Sequence, residues 1–277
     1  MGLRIATNTQ ALAAQRFLEG NHIAQNRSLE RLASGSRINR AGDDAAGLAI
    51  SEKLKANIRS MQQATRNAND GVSLIQTAEG AMNEISNIFI RVRELSIQGA
   101  NDTLSDTERK FVDKEVQSLK AEVDRIAQTT EFNGLHLLNG TGEALEFQVG
   151  LHNNPMEDRI VFDTQKGQAT LDSFNLGDVS TATKESSREN LEKLDMAISR
   201  LNENRSSLGA LQNRLGSTIN NMQIYTENLS AANSRIRDTD MATESSELVR
   251  NNILTSANVA MLGQANQNPQ VALKLLG

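Results

Sequence analysis

The residues best suited to acid–base or metal chemistry are the three histidines, His22, His136 and His152. They fall in separate segments, and no His-x-x-x-His spacing places two of them on one helix face, as a zinc site would need. Asp43-Asp44 is an adjacent carboxylate pair that could suggest a general acid–base role. It directly precedes the apolar-periodic run Ala45-Ala-Gly-Leu-Ala-Ile50, so capping the start of a helix is the better use of both side chains. The chain contains no Gly-x-Gly-x-x-Gly, no phosphate-binding Gly-Lys-Ser/Thr and no Gly-x-Ser-x-Gly. It has no cysteine, which removes disulfides, thiolate nucleophiles and soft-metal sites together. Arg31, Arg37 and Arg40 form a basic stretch without an aromatic partner in a chain of net charge −5, a poor nucleic-acid site. These residues predict a protein without catalytic, cofactor or metal centre, and Gly35 and Gly42 mark the basic stretch as a solvated hinge.

The elements that surround these residues are long and amphipathic. Both prolines, Pro155 and Pro269, lie in the second half, and residues 217–262 hold neither proline nor glycine, so nothing interrupts long helices there. From Leu194 to Ile236, steps of four and three meet nine apolar residues in thirteen positions. One sublattice, Leu194, Leu201, Leu208, Leu215, Met222, Leu229 and Ile236, is apolar throughout. Six heptads of this kind predict a coiled coil on the order of 60 Å long. Leu54, Ile58, Met61, Thr65, Ala68, Val72, Ile75, Glu79, Met82, Ser86 and Phe89 follow the same alternation. The stripe then shifts to Ile85, Ile88, Val92 and Leu95, and a third runs Val112, Val116, Leu119, Val123 and Ile126. Ser105-Asp-Thr-Glu108 reads as a capping box before this third helix.

Three amphipathic helices predict a mainly α fold, an elongated antiparallel coiled-coil bundle. Residues 140–165 hold turn signals around Leu145-Glu-Phe-Gln-Val149 and Arg159-Ile-Val-Phe162, a predicted β-hairpin, followed by an irregular cap at 165–186. Two terminal arms remain. Residues 1–33 carry Ile5, Leu12, Ile23 and Leu29, and residues 243–277 carry Leu248, Ile253, Val259, Leu262, Leu275 and Leu276, among many Asn and Gln. Alone, such arms bury too little surface to offset the entropy of ordering, so they are expected to order against each other or against neighbouring molecules, and to be trimmed first by protease in the free subunit. No window approaches the 18 apolar residues of a membrane span. The start Met1-Gly-Leu-Arg-Ile-Ala6 lacks the apolar run of a cleavable leader, and Ala6 stands where the myristoylation pattern wants Ser or Thr. Export, if it occurs, is expected by a route that cleaves no signal.

The hinge, Leu32-Ala-Ser-Gly-Ser-Arg-Ile-Asn-Arg-Ala-Gly-Asp-Asp-Ala-Ala-Gly-Leu-Ala-Ile50, resembles the bacterial flagellin pattern. Four further blocks agree in order: Asn67-Ala-Asn-Asp-Gly71, Arg91-Val-Arg-Glu-Leu95, Glu131-Phe-Asn-Gly134, and the run from Ala231 to Asp240 through Asn258-Val-Ala-Met-Leu262 to Leu275-Leu276-Gly277. The resemblance spans about residues 1–150 and 187–277. It implies a non-enzymatic subunit of the extracellular flagellar filament. Its filament-core domain would be residues 1–42 with 236–277, and its rod domain 43–186 with 187–235. The middle is too short for the outer domains of larger members, so a core-only flagellin is expected.

The resemblance also implies partners: other copies of the chain, the flagellar export apparatus and its flagellin chaperone, the filament cap and the hook-associated proteins. It maps an animal innate immune receptor contact onto Arg91, Leu95 and Glu115. It implies neither nucleic-acid binding nor membrane insertion. A hook–filament junction protein is the alternative within the same helical architecture.

Overall fold

The computed structural model of the chain describes the backbone of residues 7–275 and the side chains of residues 7–267. Its helices are α1 (Thr9–Ser34), α2 (Ala45–Gly99), α3 (Asp106–Thr129), α4 (Lys184–Arg237) and α5 (Met241–Leu275). Between α3 and α4 lie β1 (Glu131–Phe132), β2 (Leu135–His136), β3 (Leu145–Gln148) and β4 (Arg159–Phe162), paired as two antiparallel two-stranded sheets. The fold is mainly α, as expected. The chain divides into two compact units, Met1–Ile58 with Glu227–Gly277, and Arg59–Thr226.

In the unit Arg59–Thr226, the heptads become a core. Ile75, Met82, Ile85 and Phe89 of α2 are buried with Leu194, Leu201, Leu208, Leu215 and Met222 of α4. The helices run antiparallel, since Arg93 meets Asp195 while Thr65 meets Met222. The phase shift after Phe89 is explained by α3, whose Val116, Val123 and Ala127 join the same core. α3 starts with the expected capping box: the Ser105 hydroxyl accepts from the Glu108 amide, and Glu108 accepts from the Ser105 amide at 2.7 Å. The buried Arg109 guanidinium donates to the carbonyls of Gly99 and Asn101, satisfying oxygens that the end of α2 leaves without helical partners.

The segment after α3 covers the bundle. Asn133 and Gly134 have positive φ, 52° and 79°, the geometry of a two-residue hairpin turn joining β1 to β2. This small sheet sits where the sequence showed turn signals alone. β3 and β4 form the expected hairpin, with Leu145 opposite Phe162 and Gln148 opposite Arg159. It docks on the Asn67–Gly71 block: the Asn67 amide donates to the Gln148 carbonyl at 3.1 Å, and a Cβ at position 71 would lie 3.1–3.3 Å from the Phe147 ring. The irregular residues 168–183 are strapped to the polar face of α3. Asp113 accepts from the Thr181 amide, Asp124 accepts from the Leu171 amide, and Lys120 donates to the carbonyls of Gly177 and Val179. The strap seats Leu171, Phe174, Leu176 and Val179 in the core, with Phe174 edge-on to Phe89 at 5.3 Å.

In the other unit, the same heptad positions, Leu54, Ile58, Leu229 and Ile236, are only half-buried. Among the described residues, the core cluster of α2, α3, α4, the hairpin and the strap does not extend there, whereas in the unit Arg59–Thr226 those elements share one core.

Leu201→Ala should therefore destabilise the unit Arg59–Thr226 by about 2–5 kcal/mol. Leu229→Ala, at a half-exposed position of the same sublattice, should cost about 1 kcal/mol. Urea unfolding followed by circular dichroism measures both, and equal costs would contradict the graded burial.

Candidate functional site

Within the unit of residues 1–58 and 227–277, an elbow is built from the hinge and the α4–α5 junction. α1 ends at Gly35, which takes a left-handed φ of 68° and returns its amide to the Arg31 carbonyl. Two backbone bonds then tie the strands of the elbow, from the Arg37 amide to the Arg237 carbonyl at 2.6 Å and from the Thr239 amide to the Gly35 carbonyl at 2.9 Å. The Arg37 guanidinium donates to the Ile236 carbonyl, and Arg237 pairs with Glu52 on α2.

The two aspartates of the hinge divide their work. Asp44 caps α2, accepting from the Gly47 amide at 2.8 Å. Asp43 instead accepts from the Asn39 and Arg40 amides of the preceding turn, and Arg27 approaches it at 3.8 Å. Gly47 is glycine for a steric reason. A Cβ there would stand 2.4 Å from the Asp44 carboxylate and 2.8 Å from the Ile38 side chain, which is itself buried. Asp240 caps α5 in the same way, and its carboxyl is held below the ordinary value by the Thr243 hydroxyl and by the Thr243 and Ala242 amides. The basic stretch is thus a structural clasp.

α1 and α5 pack antiparallel from the elbow outward. The contacts run from Arg31–Glu244, through Gln25–Asn252 at 2.6 Å, to the Asn8 amide on the Ala265 carbonyl at 2.7 Å. The more protected positions of α1 include Ala11, Ala14, Leu18, Asn21, Gln25, Ser28 and Leu32, and those of α5 Glu244, Leu248, Asn251, Thr255, Asn258, Leu262 and Ala265. Both series step by three and four, a heptad seam filled largely with small and polar residues. Arg31 and Glu244 are mostly sheltered, yet the Arg31 Nε and the Thr255 hydroxyl are buried without a hydrogen-bond partner among the described residues. Such a seam is a weak source of stability.

Leu18, Leu32, Leu248 and Leu262 lie in the seam, but most of the large apolar side chains face the other way. Leu12, Phe17, Ile23 and Leu29 of α1 and Met241, Val249, Ile253, Leu254, Val259 and Met261 of α5 are all exposed, Ile253 by 63%. Of the arm residues expected from the sequence, Leu12, Ile23, Leu29, Ile253 and Val259 are outward, while Leu248 and Leu262 sit half-buried in the seam. Leu275 ends the backbone of α5, and Ile5 and Leu276 lie outside the described residues. Seam residues such as Asn8, Gln25, Ser28 and Asn251 escaped a reading keyed to apolar periodicity, because their heptad is written in polar and small side chains.

In the unit Arg59–Thr226, Arg91 on α2 donates to Glu115 on α3 at 2.8 and 3.1 Å and to Glu94 at 3.1 Å. Hydrogen bonding to Glu115 foremost raises the Arg91 pKa further. Leu95, four residues after Arg91 in α2, is 2% exposed and belongs to the core. His22 falls in α1, His136 in β2 and His152 in the loop between β3 and β4, so the fold gathers none of them into a pair. Among the described residues no cluster of His, Asp and Glu is arranged to hold a metal, and no helix is long and apolar enough to cross a membrane.

Two family models match the chain: the bacterial flagellin N-terminal helical region over residues 5–143 and the bacterial flagellin C-terminal helical region over residues 191–276. The flagellin of Halalkalibacterium halodurans is 44% identical over 269 residues, which cover 97% of this chain and 98% of the relative. A crystal structure of Bacillus cereus flagellin matches 57% of this chain and 88% of its own, with a TM-score of 0.50 and 33% identity. A putative flagellar hook-associated protein from Vibrio parahaemolyticus matches 71% of this chain and all of its own, with a TM-score of 0.58. At 12% identity that match is a likeness of fold alone.

The elbow should loosen in acid. The Arg40 amide first, then the Asn39 amide and the Arg27 and Arg31 guanidinium groups, hold the Asp43 carboxyl below its ordinary value of 3.8 against the opposing effect of burial. A carboxyl lowered on folding stabilises above its unfolded pKa and loses that contribution as pH falls through the folded one. Hydrogen exchange at the Asn39 and Arg40 amides should therefore be protected above about pH 4 and rise, after correction for intrinsic rates, on acidification below that value. Asp43→Asn should remove this pH dependence, and an unchanged profile would refute the assignment.

Proposed function

Because the chain belongs to the bacterial flagellin family, and is a structural subunit of the extracellular flagellar filament, we propose that its α1–α5 pair is the self-assembly site, completed by neighbouring copies. The observation that carries this reading is the makeup of the arm pair, with a seam of mainly polar and small residues and most of the large apolar side chains outside. Each outward side chain gains about 25 cal/mol per Å² of apolar surface covered by another copy. The ordering cost of the arms is thereby met in the polymer rather than in the free subunit. Contacts of this kind that do not close on themselves extend as an open helix.

The functional boundary falls at the elbow. Residues 1–42 and 236–277 make the filament core, and 43–186 with 187–235 make the rod. A short middle segment, with a hairpin and a strapped cap in place of outer domains, is the core-only form. The same outward apolar side chains would be a liability before assembly, which supports export in an unfolded form under the care of the flagellin chaperone. The filament cap and the hook-associated proteins then meet the same arms at the two ends of the polymer. For an animal innate immune receptor, the proposed contact positions are Arg91, Leu95 and Glu115, of which the exposed Arg91–Glu115 pair offers the polar contact and Leu95 is buried in the core. The hook-associated alternative shares the fold, and it differs in ending a polymer rather than extending one.

Ile253→Asp combined with Val259→Asp should raise the critical concentration for seeded filament growth by more than about 10-fold, since it forces two carboxylates into apolar contacts. Met156→Asp, at an 88% exposed position of the β3–β4 loop, should leave growth unchanged. Electron microscopy and sedimentation read both. Wild-type growth that stops after one layer on a seed would favour the junction protein.

A further inference from the structure

Pro269 lies inside α5, four residues beyond Ala265. Proline has no amide proton, so the Ala265 carbonyl lacks its usual i+4 helical donor. Asn8 fills that role from the other arm: its side-chain amide donates to the Ala265 oxygen at 2.7 Å, while its side-chain oxygen caps α1 by accepting from the Ala11 amide at 3.0 Å. Ala265 is buried, so an unpaired carbonyl there would lack compensation from water.

We propose that Asn8 is the register key of the terminal arms, a positioning residue that reads the single carbonyl freed by Pro269 and so fixes how α1 lies along α5. The inference rests on the filament reading and says which contact sets its geometry. The rest of the seam selects a register only weakly, because small and polar side chains repeating every seven residues pack in several alignments. A slip of one heptad would leave the Ala265 oxygen unpaired and set Arg31 opposite Asn251 or Arg237 in place of Glu244. It would also displace the outward aliphatics of one arm against those of the other by about 10 Å, at 1.5 Å per residue. An assembling lattice needs those side chains in one arrangement, so the key acts on specificity more than on stability.

The test is a double-mutant cycle on the full-length chain. Asn8→Asp keeps the capping oxygen and loses the donor, whereas Pro269→Ala restores the helical amide and makes the donor unnecessary. Asn8→Asp alone should raise the critical concentration for seeded growth by about 3- to 10-fold, the worth of one hydrogen bond. In the Pro269→Ala background the same change should have little effect. Spin labels on cysteines introduced at the exposed Glu19 and Ala257 should give one narrow distance in wild type and a broader distribution in Asn8→Asp. An equal penalty in both backgrounds, or label distances that Asn8→Asp leaves unchanged, would overturn the key while leaving filament growth intact. A wild-type chain that never grows on seeds would instead overturn the filament reading, and the label distances would still decide the key.

Discussion

A helix can bury one stripe against one partner, and the α1–α5 pair places small and polar side chains in that stripe. Everything distinctive about the arms follows. The seam aligns the two helices through Asn8, Gln25 and Arg31, but it removes little apolar surface from water. Most of the large apolar side chains that would stabilise an ordinary helical pair are on its outside, with only Leu18, Leu32, Leu248 and Leu262 half-buried among the seam positions described. On the proposed reading, a pair built this way is completed when other copies cover it. The unit Arg59–Thr226 solves the opposite problem. There the heptad sublattice of α4 points inward, α3 and the strap over residues 168–183 close the third side, and Leu194, Leu201 and Leu215 are fully buried.

The elbow shows how a motif with the look of an acidic or basic site can be wholly architectural. Asp44 spends its carboxylate on the first turn of α2, Asp43 on two amides of the turn before it, and Arg37 on a carbonyl at the end of α4. Gly47 is required because Ile38 and Asp44 occupy the space a Cβ would take. Arg37, Asp43, Asp44 and Gly47 each have a structural role in the elbow. The Asn67–Gly71 block is similar: its first residue bonds the hairpin and its last makes room for the Phe147 ring.

Membership of the flagellin family gives these features their purpose, and the chain's shortness gives them their emphasis. The halophilic-alkaliphile relative is covered over 98% of its own length, so the short middle segment is shared with at least one known flagellin. With only a hairpin and a strapped cap between α3 and α4, filament-forming helices make up most of the described chain.

The sequence by itself determined the helices, the capping box at Ser105, the hairpin between Leu145 and Phe162, and the inward sublattice of α4. These depend on local or strictly periodic chemistry, in which a residue's neighbours in the chain are its physical partners. The tertiary structure alone decided which arm residues face the seam. Leu248 and Leu262 turn inward while Ile253 and Val259 turn outward, and apolar content cannot separate them. It decided that Asp43 and Asp44 bond in opposite directions along the chain, and that Leu95 is buried in the core while Arg91 and Glu115 pair at the surface. It also joined Asn8 to the carbonyl that Pro269 leaves free. Both residues were visible in the sequence, but the bond between them spans 257 positions, and only the folding back of α5 onto α1 brings donor and acceptor together.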